Sequence, residues 1–248
     1  MPGPHSGELL REDGTRIATM RRDGAGPGVL WLGGFKSEMT ATKATALDVW
    51  AAERARAFVR FDYFGHGKSS GNFRDGTITR WRDDALAVLD GLTAGPQVLV
   101  GSSMGAWLAL LVALARPERV RGLLLLAPAT DFTEALMWQS FDEAARRDVM
   151  EKGEYLRPSL YDPEPYPITR RLIEDGRKHL LLGKPIPIGC PVRIVQGMAD
   201  PDVPWTHAMK LVEALGNDVE ITLLKNGDHR LSKPHELALI LRVLEAMP

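Results

Sequence analysis

The sequence predicts an α/β fold, one domain over residues 1–248, with a mostly parallel central sheet, helices on both faces and a helical lid inserted at residues 130–189. Three observations predict it. Short, nearly continuous apolar runs at residues 29–32, 98–100 and 120–126 are the pattern of strands buried on both faces. Helix-patterned stretches alternate with those runs, as parallel strand–helix–strand connections require. The alternation lapses between residues 127 and 189, an excursion long enough to be functional.

The elements follow in order. Residues 8–11 and 16–21, split by Asp13-Gly14, read as an opening hairpin, since Asp-Gly favours the primed turns that join antiparallel strands. After a Gly/Pro loop, residues 29–32 form a strand that ends in Gly33-Gly34-Phe35. Residues 40–56 are patterned as a helix and 57–61 as the next strand. Ile78, Trp81, Ala85, Val88, Leu89 and Leu92 recur at helical spacing, an amphipathic helix over 77–92 that lies on the sheet. A strand at 97–100 leads through a turn into a helix at 106–115, which Pro117 stops, and 120–126 is again a strand. In the lid, helices over 132–150 and 168–182 are expected to bracket a proline-rich stretch at 158–167. The lid carries the bulky residues Phe132, Met137, Trp138, Phe141, Tyr155, Tyr161 and Tyr166, of which the aromatic ones are expected to line a substrate pocket. A strand at 192–195, a helix at 204–215, a strand at 219–224 and a helix at 234–247 complete the chain.

Composition removes several function classes. Of 248 residues, 31 are Lys or Arg and 32 are Asp or Glu, a net charge of −1 with a pI of ≈ 6.6. No segment concentrates the basic residues, so no nucleic-acid partner is expected. No apolar run approaches the roughly 18 residues of a membrane-spanning helix, and Met-Pro-Gly-Pro-His-Ser-Gly-Glu at the start lacks the regions of a signal peptide. A soluble, cytoplasmic protein without stable membrane insertion is therefore expected. The single cysteine, Cys190, excludes an internal disulfide and a cysteine metal cluster; ahead of Pro191 at the mouth of an apolar strand, it reads as a small buried hydrophobe.

The chemistry centres on residues 97–107, Gln-Val-Leu-Val-Gly-Ser-Ser-Met-Gly-Ala-Trp. A serine can stand at the top of a sheet with its Oγ free only on a sharp strand-to-helix turn, and residues two before and two after it must then be glycine because a Cβ would collide there. Ser103 fits that place, and the N–H of Met104, at a helix N-terminus, points at whatever negative charge develops beside it. The glycines of Gly33-Gly34-Phe35 let a backbone pass close to a ligand, so a second such donor is assigned to the N–H of Phe35.

A neutral hydroxyl is a poor nucleophile and needs a base in hydrogen-bond reach, with a third group to orient that base. In this fold such partners lie past the carboxyl ends of later strands. Past 192–195 come Asp200 and Asp202. Asp200, nearer the strand, is taken as the acid, and Asp202 as a cap for the helix that Pro204 opens. Past 219–224 comes His229, taken as the base. His207 and His235 fall on helices, His179 in the lid and His5 in the terminus. His66, between Gly65 and Gly67, is also weighed as a base; upstream of Ser103 on a neighbouring strand, it reads as a structural or rim residue.

The order Ser103, Asp200, His229 resembles the α/β-hydrolase superfamily over essentially the whole chain. More narrowly, Gly33-Gly34-Phe35-Lys36-Ser37-Glu38-Met39 with Thr42-Lys43-Ala44, Arg60-Phe61-Asp62-Tyr63, the stretch from Gly101 to Trp107, Gly197-Met198-Ala199-Asp200 with Val203-Pro204-Trp205, and Asp228-His229-Arg230 resemble one branch. That branch contains the mitochondrial acyl-protein thioesterase that also hydrolyses mycophenolic acid acyl-glucuronide. The resemblance implies a serine carboxylesterase or thioesterase with Ser103, Asp200 and His229 as its triad and oxyanion donors at Phe35 and Met104. Acyl transfer on such a triad needs no metal or organic cofactor, and the resemblance does not fix the substrate, which is expected to be a small acyl ester or thioester, or an acylated protein. Gly33-Gly34 departs from the His-Gly of many members, which leaves open what braces the Phe35 loop. Carbon–carbon bond hydrolysis or peptide cleavage on the same triad, and a non-catalytic binding protein on the same scaffold, are the rival readings. Relatives that cleave carbon–halogen bonds or epoxides carry aspartate at the elbow, where this chain has Ser103.

Overall fold

A computed structural model describes residues 3–159, 163–216 and 218–248. Strands β1 (His5–Leu10) and β2 (Arg16–Arg22) form the opening hairpin and pair antiparallel. Its turn is longer than a primed two-residue turn: Arg11 N donates to Thr15 O at 2.8 Å, and Gly14 alone takes a positive φ, 79°. Then come β3 (Ala25–Leu32), helix α1 (Thr42–Glu53), β4 (Arg56–Phe61), α2 (Ile78–Leu92), β5 (Gln97–Ser102), α3 (Met104–Ala115) and β6 (Val120–Leu126). Thr77 caps α2, its side chain accepting from Arg80 N.

Between β6 and the next strand of the main sheet lies the insertion, and here the helical expectation is corrected. Residues expected to make one helix over 132–150 form a π-helical turn (Thr133–Met137), a 3₁₀ turn (Trp138–Ser140), a short helix α4 (Glu143–Arg147) that Asp142 caps, and a second π turn (Asp148–Lys152). Strands β7 (Glu154–Arg157) and β8 (Tyr166–Thr169) then make an antiparallel hairpin, with β8 where the second helix was expected to begin. The helix α5 (Arg170–Gly176) starts only after Thr169, whose hydroxyl accepts from Leu172 N at 3.1 Å. β9 (Val192–Gly197), α6 (Trp205–Ala214), β10 (Val219–Leu224) and α7 (Pro234–Glu245) complete the chain.

The main sheet has the order β1-β2-β4-β3-β5-β6-β9-β10, antiparallel at β1–β2–β4 and parallel throughout the rest. Side chains alternate across it as the pleat dictates. Val29, Trp31, Val98, Val100, Leu124 and Leu126 pack with α1 and α7 on one face. Leu30, Leu32, Leu99, Leu123 and Leu125 pack with α2, α3 and the insertion on the other. Both faces are covered, which is why these strands read as continuous apolar runs. Cys190 packs at the edge of the second core and is half-buried rather than buried. Among the described residues no helix is long and apolar enough to cross a membrane.

Candidate active site

Ser103 sits between β5 and α3 with φ 55° and ψ −117°, outside the regions an L-residue prefers. The two glycines around it admit that bend. A Cβ on Gly101 would lie 2.4 Å from the Gly105 carbonyl oxygen, and one on Gly105 would lie 2.1 Å from the Leu32 carbonyl oxygen. The turn thus packs backbone on backbone, and the Ser103 hydroxyl is left standing at the carboxyl end of the sheet.

Two later loops meet it. His229, past β10, places Nε2 3.0 Å from Ser103 Oγ, and its Nδ1 lies 2.8 Å from Asp200 Oδ2. Asp200 comes from the loop after β9 and its side chain is fully buried. Its Oδ1 accepts from the backbone N–H groups of Asp202 (2.8 Å) and Val203 (2.9 Å), and Oδ2 also receives Gln196 Nε2 at 3.3 Å. Four donors thus orient one carboxylate. Lys43 of α1 steadies the His229 loop through a hydrogen bond from Nζ to the Arg230 carbonyl. Burial, then the Arg230 charge, lowers the Lys43 pKa to about 8.

The sequence expectations divide around this centre. Ser103, Asp200 and His229 come together; Met104 opens α3 with its N–H beside Ser103, and Gly34 and Phe35 border the same space. No side chain caps α6, so Asp202 does not play the expected capping part and instead lines the cavity. His207 is buried with Nε2 2.7 Å from the Thr130 carbonyl oxygen, and His179 meets Thr79 Oγ1 at 2.6 Å; both hold the fold together. Asp200, Asp202 and His229 offer ligand atoms within 4.8 Å of one another, but the Asp200 oxygens are already committed to the donors above.

His66, read from the sequence as a structural or rim residue, has a structural part. It is 3% exposed, and its Nε2 accepts the backbone N–H of Lys36 at 3.1 Å while Nδ1 faces the Phe64 carbonyl oxygen at 3.2 Å. Burial lowers its pKa to about 4, which keeps the ring neutral and Nε2 an acceptor. Asp62, in the same loop, accepts from Met39 N at 2.6 Å. These two side chains brace the Gly33-to-Met39 loop, and they replace the bracing that the missing histidine at Gly33 left open. The signal was present in the sequence, as Asp62 and the Gly65-His66-Gly67 loop, but nothing in sequence spacing said that it faced residue 36.

The cavity over Ser103 has a volume of about 260 Å³ and is walled by Phe35, Met104, Phe132, Met137, Arg157, Tyr166 and His229, among others. Of the insertion aromatics expected to line it, Phe132 and Tyr166 do, and Met137 joins them. Phe141 and Tyr155 instead pack on each other, and Trp138 lies against Arg146 and Arg177. Tyr161 lies outside the described residues.

Comparison with known proteins agrees with this architecture. The model of the Alpha/beta hydrolase family matches residues 27–238. The mouse (Mus musculus) protein named palmitoyl-protein thioesterase ABHD10, mitochondrial, is 37% identical over 96% of this chain and 80% of its own. A crystal structure of an Agrobacterium vitis S4 protein superposes with a TM-score of 0.94 at 44% identity, covering 100% of this chain and 99% of that one. The structure of alpha/beta hydrolase domain-containing protein 10 from mouse gives a TM-score of 0.90 at 36% identity, covering 97% of each. The cytoplasmic expectation is corrected by these relatives, since the rat, orangutan, human and bovine proteins too are mitochondrial by name. That expectation rested on the residue pattern of the first eight positions and on apolar run lengths, and location is written in sorting signals rather than in a catalytic core. With its sheet order, its strained serine turn and matches across nearly its full length, the chain belongs to the alpha/beta hydrolase family, in the branch of ABHD10.

Proposed function

We propose that this hydrolase cleaves carboxylic ester or thioester bonds through an acyl-enzyme on Ser103. His229 takes the Ser103 proton as Oγ attacks the carbonyl carbon, and Asp200 stabilises the imidazolium that forms. The N–H groups of Phe35 and Met104 hold the tetrahedral oxyanion. Collapse expels the alkoxide or thiolate, which takes the proton from His229. Water, deprotonated by His229, then attacks the acyl group and frees Ser103. The observation that carries the reading is the continuous line of contacts, Ser103 Oγ to His229 Nε2 at 3.0 Å and His229 Nδ1 to Asp200 Oδ2 at 2.8 Å.

Thioesters of acylated proteins enter as candidate substrates because the curated relatives are named palmitoyl-protein thioesterases. Residues 130–189 act as a lid on one hydrolase domain.

A fluorophosphonate probe tests the reading. Wild type is expected to be labelled at Ser103 and to hydrolyse p-nitrophenyl esters and acyl thioesters, and Ser103→Ala to lose both properties. Asp200→Asn should cost on the order of 10⁴-fold in kcat, while Asp202→Asn stays close to wild type. Full esterase activity in Ser103→Ala would overturn the proposal.

A further inference from the structure

The wall of the cavity over Ser103 contains an arginine that finds no acceptor among the described residues. Arg157 ends β7 and lines that cavity beside Tyr166, its ladder partner on β8. Among the described residues, every other arginine that is not fully exposed donates a hydrogen bond: Arg60 to the Met39 carbonyl, Arg146 to the Trp138 carbonyl, Arg56 to the Pro27 carbonyl, and likewise Arg11, Arg22, Arg80, Arg82, Arg116, Arg119 and Arg193. Arg157 donates none to the described residues, and no carboxylate among them lies within ion-pair distance of it. A guanidinium that gives up part of its water without an acceptor is costly, and its fork of N–H donors matches a carboxylate in two places at once.

Lys36 adds to the same side. Its Nζ lies 5.6 Å from the Tyr166 ring centroid and 5.3 Å from that of Phe73, so Tyr166 neighbours both cations. Lys36 too has no carboxylate in ion-pair range among the described residues. Asp202, the acid in the cavity wall, belongs instead to the Asp200 and His229 side.

We propose that Arg157 is the subsite for a carboxylate on the substrate: the preferred ester or thioester is anionic, with its charge far enough from the scissile carbonyl to reach the β7 end of the cavity. The proposal rests on the hydrolase reading and adds the substrate's charge to it. It makes Arg157 a specificity residue that takes no part in bond breaking.

Matched pairs of esters test it and also locate the charge. p-Nitrophenyl monoadipate against p-nitrophenyl hexanoate places the carboxylate on the acyl half; 4-carboxyphenyl butyrate against 4-carbamoylphenyl butyrate places it on the leaving half. Arg157→Ala is expected to lower kcat/KM for one carboxylate ester by about 10- to 100-fold more than for its neutral partner, the range of a lost charge-assisted hydrogen bond. Arg157→Lys should recover part of the loss, because it keeps the charge and gives up the fork. Equal losses on the neutral and anionic members of both pairs, or no loss on either anionic ester, would overturn the proposal. Wild type alone is a second measurement: a neutral ester preferred over its carboxylate partner in both pairs also overturns it. Hydrolysis of p-nitrophenyl hexanoate that is lost in Ser103→Ala reports the hydrolase reading, and the anionic-to-neutral ratio alone reports Arg157.

Discussion

The two backbone N–H groups assigned to the oxyanion are positioned by unlike means. On the Met104 side the work is done by main chain alone: Gly101 and Gly105 let β5, α3 and the end of β3 come within distances that no Cβ could share, and Met104 is held at the start of a buried helix. On the Phe35 side the loop cannot hold itself. Lys36 takes φ 57°, and the loop is fixed from outside by His66 on Lys36 N–H and by Asp62 on Met39 N–H. Asp62 is in turn tied to its own loop, with Oδ2 accepting from Lys68 N at 2.9 Å and lying where a Cβ on Gly67 would fall. One half of the cradle is inseparable from the fold, while the other is borrowed from side chains 23 and 30 residues downstream.

That contrast can be broken at either end, and the largest effect belongs to the main-chain half. Gly105→Ala forces a Cβ against the Leu32 and Gly33 carbonyl oxygens and is expected to cost roughly 3 kcal/mol or more, read as a collapse in yield of folded protein or in Tm. A variant of wild-type stability would mean that the turn is less tightly packed than described. His66→Ala acts on the borrowed half. It leaves the Lys36 N–H without its acceptor and is expected to lower kcat by about 10- to 100-fold, less than the 10²- to 10³-fold of losing an oxyanion donor outright, while KM changes little. His66→Gln, which can offer an acceptor to the same N–H, should recover part of it. A His66→Ala enzyme with wild-type kcat would separate this loop from catalysis.

The smallest effect is on pH dependence. His66 has its folded pKa lowered to about 4 by burial, against about 6.5 when unfolded, so the unfolded chain binds the proton more readily between those values. The stability that a neutral His66 contributes is present above about pH 6.5 and is lost as pH falls toward about 4. His179 and His207 are shifted the same way by burial, so the slope of His66→Gln subtracted from that of wild type isolates the term. Parallel stability curves for the two proteins across this interval would show that His66 carries no such linkage.

The same division explains what could be read from the sequence. The parallel strands were legible because both of their faces are buried, and residues 98–100 and 120–126 hold little that is not aliphatic. The serine turn was legible because its glycines answer a local steric demand. His229 and Asp200 were found by their place after strands, and Asp200 was preferred to Asp202 on the same ground. The insertion was opaque. Its cavity-facing residues sit on π and 3₁₀ turns and on a two-stranded hairpin, none of which repeats long enough to leave a period. Tyr166 to Thr169, read as the approach to a helix, is a strand because it pairs with residues 154–157, a partnership that no local pattern announces. The bracing by His66 escaped for a related reason, since it joins two loops whose proximity exists only once β3 and β4 lie side by side.

Among the described residues the insertion is tied both across its own base and to the body. Asp131 accepts the N–H groups of Leu181 and Leu182, and Asp175 accepts both the N–H and the hydroxyl of Thr79 at the start of α2. The β7–β8 hairpin, which carries Arg157 and Tyr166, is held as well, since Arg74 ahead of α2 pairs with Glu154 at the start of β7 at 2.7 Å. The charge proposed to inspect a substrate therefore stands on an anchored strand, and what it can reach is set by the length of the substrate.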